Sequence, residues 1–241
     1  MSTPTSALAT LETVLRRDRN LAALADSHVH RAAREDSLGI IKGREAITAA
    51  WVQEDASDIT ITADLGDMIA YKVKRWHGHR WIWREDGRIL REVVVEDRGQ
   101  PRTAPPAHPP LGELRSGLGQ YAATSDAILP PDWPEAAREN ANHLHRIWNA
   151  RGFDRGAEDW VAALIRALPD ATFTFERALV AGDVMAFLWR LHGHHASGQR
   201  VRLIGSSIVV GGKVESVIDH AAMAAQLVRE LVDYGASAVT K

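Results

Sequence analysis

The sequence predicts an α+β protein of two domains, each with N-terminal helices packed on a strongly curved antiparallel sheet. Three observations carry this. A set of short motifs occurs twice in the same order. Prolines gather in one internal segment. In each half, a helical period of apolar residues gives way to a period of two.

The first copy holds Gly66-Asp67-Met68-Ile69-Ala70-Tyr71, then His77-Gly78-His79, then Asp86-Gly87-Arg88-Ile89. The second holds Gly182-Asp183-Val184-Met185-Ala186-Phe187, then His192-Gly193-His194, then Gly211-Gly212-Lys213-Val214. Self-similarity at about half the chain length implies two units of one fold. Eight of the ten prolines lie between Pro101 and Pro134. Proline fixes φ and removes a backbone donor, so this stretch fits neither a central strand nor a helix interior. The expected division is a first domain over 1–98, a Pro-rich connector over 99–133 and a second domain over 134–241. Leu111, Leu114, Leu118 and Tyr121 suggest that the connector lies along a domain surface.

In the first copy, Leu8, Leu11, Val14, Leu15, Leu21 and Leu24 form one apolar helical stripe. Residues 25–30 read as a short strand or turn, and 43–53 as a second helix. Ile59 and Ile61 then alternate with polar residues. Strands are expected over 68–76, 80–84 and 89–96, with Asp86-Gly87 as a hairpin turn. In the second copy, helices are expected over 136–151 and 160–168. Strands follow over 171–180, 184–191, 200–210 and 214–218. An amphipathic helix over about 220–233 closes the chain. Helices followed by an antiparallel meander give an α+β layer arrangement. A sheet that curls over its helices leaves a cavity between them.

The chain has 241 residues, a net charge of −2 and no cysteine. Thiolate catalysis, disulfides and cysteine-ligated zinc are therefore excluded. Without a long basic run, neither nucleic acid nor an anionic membrane is expected as a partner. No apolar stretch approaches the ~18 residues of a membrane span, and no secretory leader is read, so a cytoplasmic location is expected.

Histidine is the candidate for chemistry, because its intrinsic pKa suits proton transfer near neutrality. Eight of the eleven histidines form His-x-His pairs: 28/30, 77/79, 143/145 and 192/194. On a strand such pairs share a face, whereas on a helix they point apart. His77, His192 and His194 are candidate bases, with Asp219 either orienting one of them or capping the last helix. His195, Asp219 or His220 would be a third ligand for a metal, but the spacing is no recognised metal signature, so neither metal nor cofactor is expected. Trp51, Tyr71, Trp81, Trp83, Trp148 and Trp189 are candidate ligand-lining aromatics; filling the core is the alternative for the tryptophans. Arg202, on a central strand, would hold an acidic substrate group if buried.

The order of elements carries a resemblance. Its residues in the first copy are Ala25-Asp26-Ser27-His28-Val29-His30 and Gly43-Arg44-Glu45-Ala46-Ile47. In the second they are the Gly182 motif, His192-Gly193-His194-His195, Gly198, Gly212-Lys213-Val214-Glu215, Asp219 and Gln226-Leu227. This order resembles the nuclear transport factor 2-like fold, specifically the SnoaL-like polyketide cyclase group. The resemblance implies two cone-shaped domains, each with a conical apolar pocket, and places His30 at a pocket-facing position. It also implies an intramolecular pseudo-dimer through the sheets, with further homo-oligomerisation. Members of the group include cyclases, ketosteroid isomerases, dehydratases, limonene epoxide hydrolases and non-enzymatic binders. The chain departs from two of the patterns. Arg31, Ala32 and Ala33 stand where ketosteroid isomerases carry an aspartate, and 204–209 lack the carboxylate that cyclases tend to carry. Three readings stay open: a cofactor-free acid–base enzyme acting on a small apolar oxygenated molecule, a non-catalytic binder of such a molecule, or a structural pair.

Overall fold

A computed structural model of the chain describes residues 28–52, 59–65, 67–73, 78–96, 129–148, 167–195 and 197–227. The chain divides into two compact units, Met1–Glu96 and Asp97–Lys241. Both are α+β. Among the described residues, no helix is long and apolar enough to cross a membrane.

The first unit runs β1 (His28–Asp36), β2 (Gly39–Lys42), α1 (Arg44–Val52), β3 (Ile59–Asp64), β4 (Met68–Val73), β5 (Gly78–Glu85) and β6 (Arg88–Glu96). Its six strands lie in the order β2-β1-β6-β5-β4-β3. All neighbours are antiparallel except β1 and β6, which run parallel. The turns explain the order. Asp86 and Gly87 have φ of 49° and 77°, the left-handed pair that a two-residue hairpin requires. At the β1–β2 corner, Asp36 Oδ1 accepts from the Leu38 and Gly39 amides at 2.8 and 3.0 Å, a side-chain mimic of a backbone turn. Gly43, at φ 93°, then swings the chain from β2 into α1.

The second unit contains α2 (Glu135–Trp148), β7 (Thr172–Ala181), β8 (Val184–His194), β9 (Arg200–Val210) and β10 (Lys213–Ile218), followed by helical residues 220–227, labelled α3. The sheet is a wholly antiparallel meander in the order β10-β9-β8-β7. Gly182 and the Gly211-Gly212 pair, all at positive φ, make its turns. The buried residues Ala137, Ala141, Leu144 and Trp148 recur at helical spacing on one side of α2. They join Phe173, Phe175, Phe187, Trp189, Leu191, Val201, Leu203, Val209, Val214 and Ile218 in one core.

The repeated motifs fall at matching hairpins. Asp67 lies between β3 and β4 as Asp183 lies between β7 and β8, and both last turns join the final two strands. Several expectations need correction. Residues 28–30 do not form a short piece but open a nine-residue strand, and β2 was not anticipated at all. Trp133, at the end of the expected connector, is buried in the second unit's core, and Leu129 packs against it. The first helix, residues 74–77 and 160–166, and the ends of the helices expected over 136–151 and 220–233 lie outside the described residues.

Candidate functional site

Strand pleating decides which of the candidate residues can meet. Directly paired residues share a sheet face, and chain neighbours do not. On β4, Tyr71 pairs with Arg80, whereas Ala70 pairs with Trp81 and Met68 with Trp83. Tyr71 therefore lies on the face opposite Trp81 and Trp83, and the three cannot line one pocket. Trp81 and Trp83 stack on each other at 6.3 Å, and the Arg91 guanidinium lies 4.6 Å from the Trp83 ring. Arg91 in turn meets Glu35 at 2.9 Å.

The same parity separates the candidates of the second unit. His192 pairs with Arg202 and His194 with Arg200, whereas Trp189 pairs with Gly205. No register shift interrupts this ladder, so the two histidines share a face as expected for a strand. It is the face opposite Trp189. Trp148 and Trp189 are fully buried and form a ring cluster with Phe173, the centroids 5.1–5.5 Å apart. These tryptophans fill the core. Arg202 is exposed, so the burial on which an anion-holding role depended is not met. Its backbone N–H and C=O instead pair with the Gln226 side-chain amide at 2.9 and 2.7 Å, tying α3 to β9.

The remaining candidates are dispersed. His30 is exposed. His77 and the Trp51 side chain lie outside the described residues. Asp219 is buried and accepts from the Ala222 amide at 2.9 Å, which makes it the cap of α3. His194 meets Asp170 twice: its backbone N–H donates to Oδ1 at 2.5 Å, and Nδ1 lies 2.7 Å from Oδ2. These two hydrogen bonds hold the Asp170 carboxyl below its ordinary pKa, the backbone donor most of all. Both side chains are more than half exposed, so the pair is a surface clasp. Among the described residues, no group of three or more histidine or carboxylate side chains could hold a metal ion.

The polar cluster that the fold buries is a different one. Arg34, Arg80 and Glu92 are at most 7% exposed. Glu92 sits between the two arginines: Oε1 lies 3.3 Å from Arg80 Nη1, and Oε2 lies 3.7 Å from Arg34 Nη1. Arg80 Nη2 also donates to Glu96 Oε1 at 2.6 Å. The register explains the geometry. Arg34 on β1 pairs with Glu92 on β6, and Arg80 on β5 pairs with Val94, the residue between the two glutamates on their own face. Tyr71 is the partner of Arg80 on the other side. One face thus gathers two guanidinium groups, two carboxylates and the side chain of a buried tyrosine. Taking such charges out of water costs several kcal/mol per ion before pairing offsets it.

Of these residues, only Tyr71 was singled out from sequence. The available signal was parity. In Arg80-Trp81-Ile82-Trp83-Arg84, the arginines and tryptophans alternate, so one face of a central strand must carry charge. The partner carboxylates stand at matching parity in Glu92-Val93-Val94-Val95-Glu96.

No family model matches the chain, and no curated protein matches it. Among solved structures, the chain is similar to a nuclear transport factor 2-like protein of unknown function from Cytophaga hutchinsonii, at 13% identity over 40% of this chain and 95% of that one, with a TM-score of 0.31. A second of that description, from Burkholderia xenovorans, is 15% identical over 49% of this chain and 92% of that one, with a TM-score of 0.32. A structure from Sinorhizobium meliloti provisionally assigned as a polyketide cyclase is 21% identical over 36% of this chain and 92% of that one, with a TM-score of 0.29. Each of the three matches spans less than half of this chain.

Proposed function

We propose that the first unit binds a small oxygenated molecule against Tyr71, Arg80 and the ion pairs of Glu92, and that the matching face of the second unit serves structure alone. In this reading both units are nuclear transport factor 2-like domains of the SnoaL-like group. The observation that carries it is the contrast at matching positions. Tyr71 and Phe187 end the same repeated motif, yet Tyr71 is flanked by buried charge and Phe187 by rings. Buried ion pairs are seldom the most stable filling of a core. Retaining them on one face only is expected where a polar ligand is recognised.

In a dry site, Arg80 and a tyrosine hydroxyl can donate to a carbonyl or enolate oxygen, which stabilises developing negative charge. That would serve cofactor-free cyclisation, isomerisation or dehydration. A specific observation favours plain binding instead: each Glu92 oxygen faces an arginine, an arrangement suited to orienting guanidinium groups rather than to accepting a proton.

The test is thermal shift and equilibrium dialysis of the full chain against a panel of cyclic ketones, lactones and hydroxylated aromatics. At least one compound should raise Tm, and Arg80→Met should weaken it roughly tenfold or more, the loss of about one charged hydrogen bond. Arg80→Lys keeps the charge should Arg80→Met fail to fold. His194→Ala should leave binding unchanged. No binding from any compound, or equal binding by both Arg80 variants and the parent, would end this reading. Turnover of a bound compound would select the enzyme over the binder.

A further inference from the structure

Among the described residues, the first sheet ends on β2, a four-residue strand whose residues are all exposed. The surrounding hairpin presents Leu38 at 51%, Ile40 at 58% and Ile41 at 38% exposure. Edge strands that show apolar side chains and unpaired backbone groups are ready templates for another strand. The hydrogen-bond phase of this edge can be read from its inner partner. Gly43 N–H donates to Ala32 C=O at 2.9 Å, and the register continues through Arg34/Ile41 and Asp36/Gly39. In an antiparallel ladder hydrogen-bonded pairs alternate with non-bonded ones. Gly39, Ile41 and Gly43 thus turn their backbone groups toward β1, and Ile40 and Lys42 turn theirs outward.

We propose that β2 docks against β2 of a second copy of this chain, in antiparallel register, so that the two sheets become one. Only residues with outward backbone groups can exchange bonds. Ile40 then pairs with Lys42 of the second copy, Lys42 pairs with its Ile40, and the two Ile41 residues face each other across the two-fold axis. Two such pairs supply four backbone hydrogen bonds. Both Ile41 side chains lie on one face, at the close spacing of a non-bonded pair.

The charges complement this register. Ile40 pairs with Glu35 on β1, so Glu35, Ile40 and the incoming lysine occupy one row of the same face. The row spans two strand spacings, about 10 Å, within the combined reach of a lysine and a glutamate. The lysine stem covers Ile40 and its ammonium approaches Glu35, which already meets Arg91 at 2.9 Å. A lysine usually guards an edge against pairing. Here the two-fold register sets it against an isoleucine and a carboxylate rather than against another cation. Four-residue strands bury little area, well below a standard interface of about 1,600 Å², so the dimer is weak and concentration-dependent.

Sedimentation of the full chain over about 1 μM to about 1 mM should show reversible dimerisation. Hydrogen exchange should become slower at the Ile40 and Lys42 amides in the dimer. Ile40→Pro removes an outward donor without breaking a bond to β1, so it should abolish the dimer while leaving the circular dichroism unchanged. Lys42→Glu, which places like charges in the row, should weaken dimerisation about tenfold or more. A monomer throughout the range would overturn the proposal. So would a dimer that Lys42→Glu leaves intact and in which both amides exchange at the monomer rate.

Discussion

In the second unit, the sheet face that meets α2 is a continuous set of rings: Phe173, Phe175, Phe187 and Trp189 under Trp148 and Trp133. Polar contacts among the described residues there include the Trp189 indole N–H, which donates to Ser207 at 2.9 Å, and the Ser207–Ser216 hydroxyl pair at 2.8 Å. In the first unit, the face that carries Tyr71 also carries Arg34, Arg80, Glu92 and Glu96. The meanders β3–β6 and β7–β10 correspond in strand order and in the place of the repeated motifs, but their interior chemistry does not. The same meander accommodates either filling, because the strand order and the glycine turns are common to both.

Perturbing the rings should have the largest effect. Trp189→Ala removes the ring that touches both Trp148 and Phe173, and should destabilise the second unit by ~3–5 kcal/mol in urea unfolding followed by near-ultraviolet circular dichroism. Binding by the first unit should survive at urea concentrations where that unit stays folded. Loss of both together would dissolve the distinction between a structural and a functional face.

Glu92→Gln comes next. It removes the carboxylate shared by two arginines and should cost ~3 kcal/mol, as for a broken buried pair. The sharper experiment replaces Arg80 and Glu92 together by Met and Leu. Stability should then recover only in part, because Arg34 and Glu96 each lose a partner, while ligand binding stays lost. If stability does not recover, the charges are there to hold the fold, and the contrast with the second unit loses its functional meaning.

Asp219→Ala should cost ~1 kcal/mol through the lost cap of α3, with Asp219→Asn nearly neutral. Ligand binding should not change. An effect on binding would return Asp219 to the list of site residues.

The smallest effect concerns acid stability. Asp170 has a folded pKa below its ordinary value. Its contribution is therefore present above that ordinary value and is lost as pH falls through the lower folded value. Asp170→Asn should flatten this part of the acid limb of the stability curve by lowering stability slightly at neutral pH, the small loss expected for a solvent-screened pair. A large change at neutral pH would show that the clasp holds more than the end of β8.

Most of the fold was legible because its signals are local. Asp86-Gly87 and Gly211-Gly212 are turns by composition, and Val184 to Leu191 and Arg200 to Val210 read as strands from their apolar content. The β1–β2 hairpin was not legible. His28 to Asp36 lacks a clear alternation, and the apolar part of Leu38-Gly39-Ile40-Ile41 faces solvent, the reverse of what a burial pattern encodes. The site failed for another reason. Histidine and tryptophan drew attention as residue types, but which side chains meet depends on register, and register is a property of strand pairs. Arg80 joins Glu92 only once β5 and β6 are aligned, and Trp189 parts from His192 only through the pleat.

Gly205 stands directly across from Trp189, and a β-carbon there would lie 2.1 Å from the ring. The two positions form a one-way latch on sequence change. The indole can enter only after the glycine is present, and once it has entered, no single replacement at 205 fits unless the ring moves. Any change at this point of the core has to begin at Trp189, whose removal is itself strongly destabilising. The closed state of the second unit is thereby kept by the order in which mutations can be accepted, as well as by free energy.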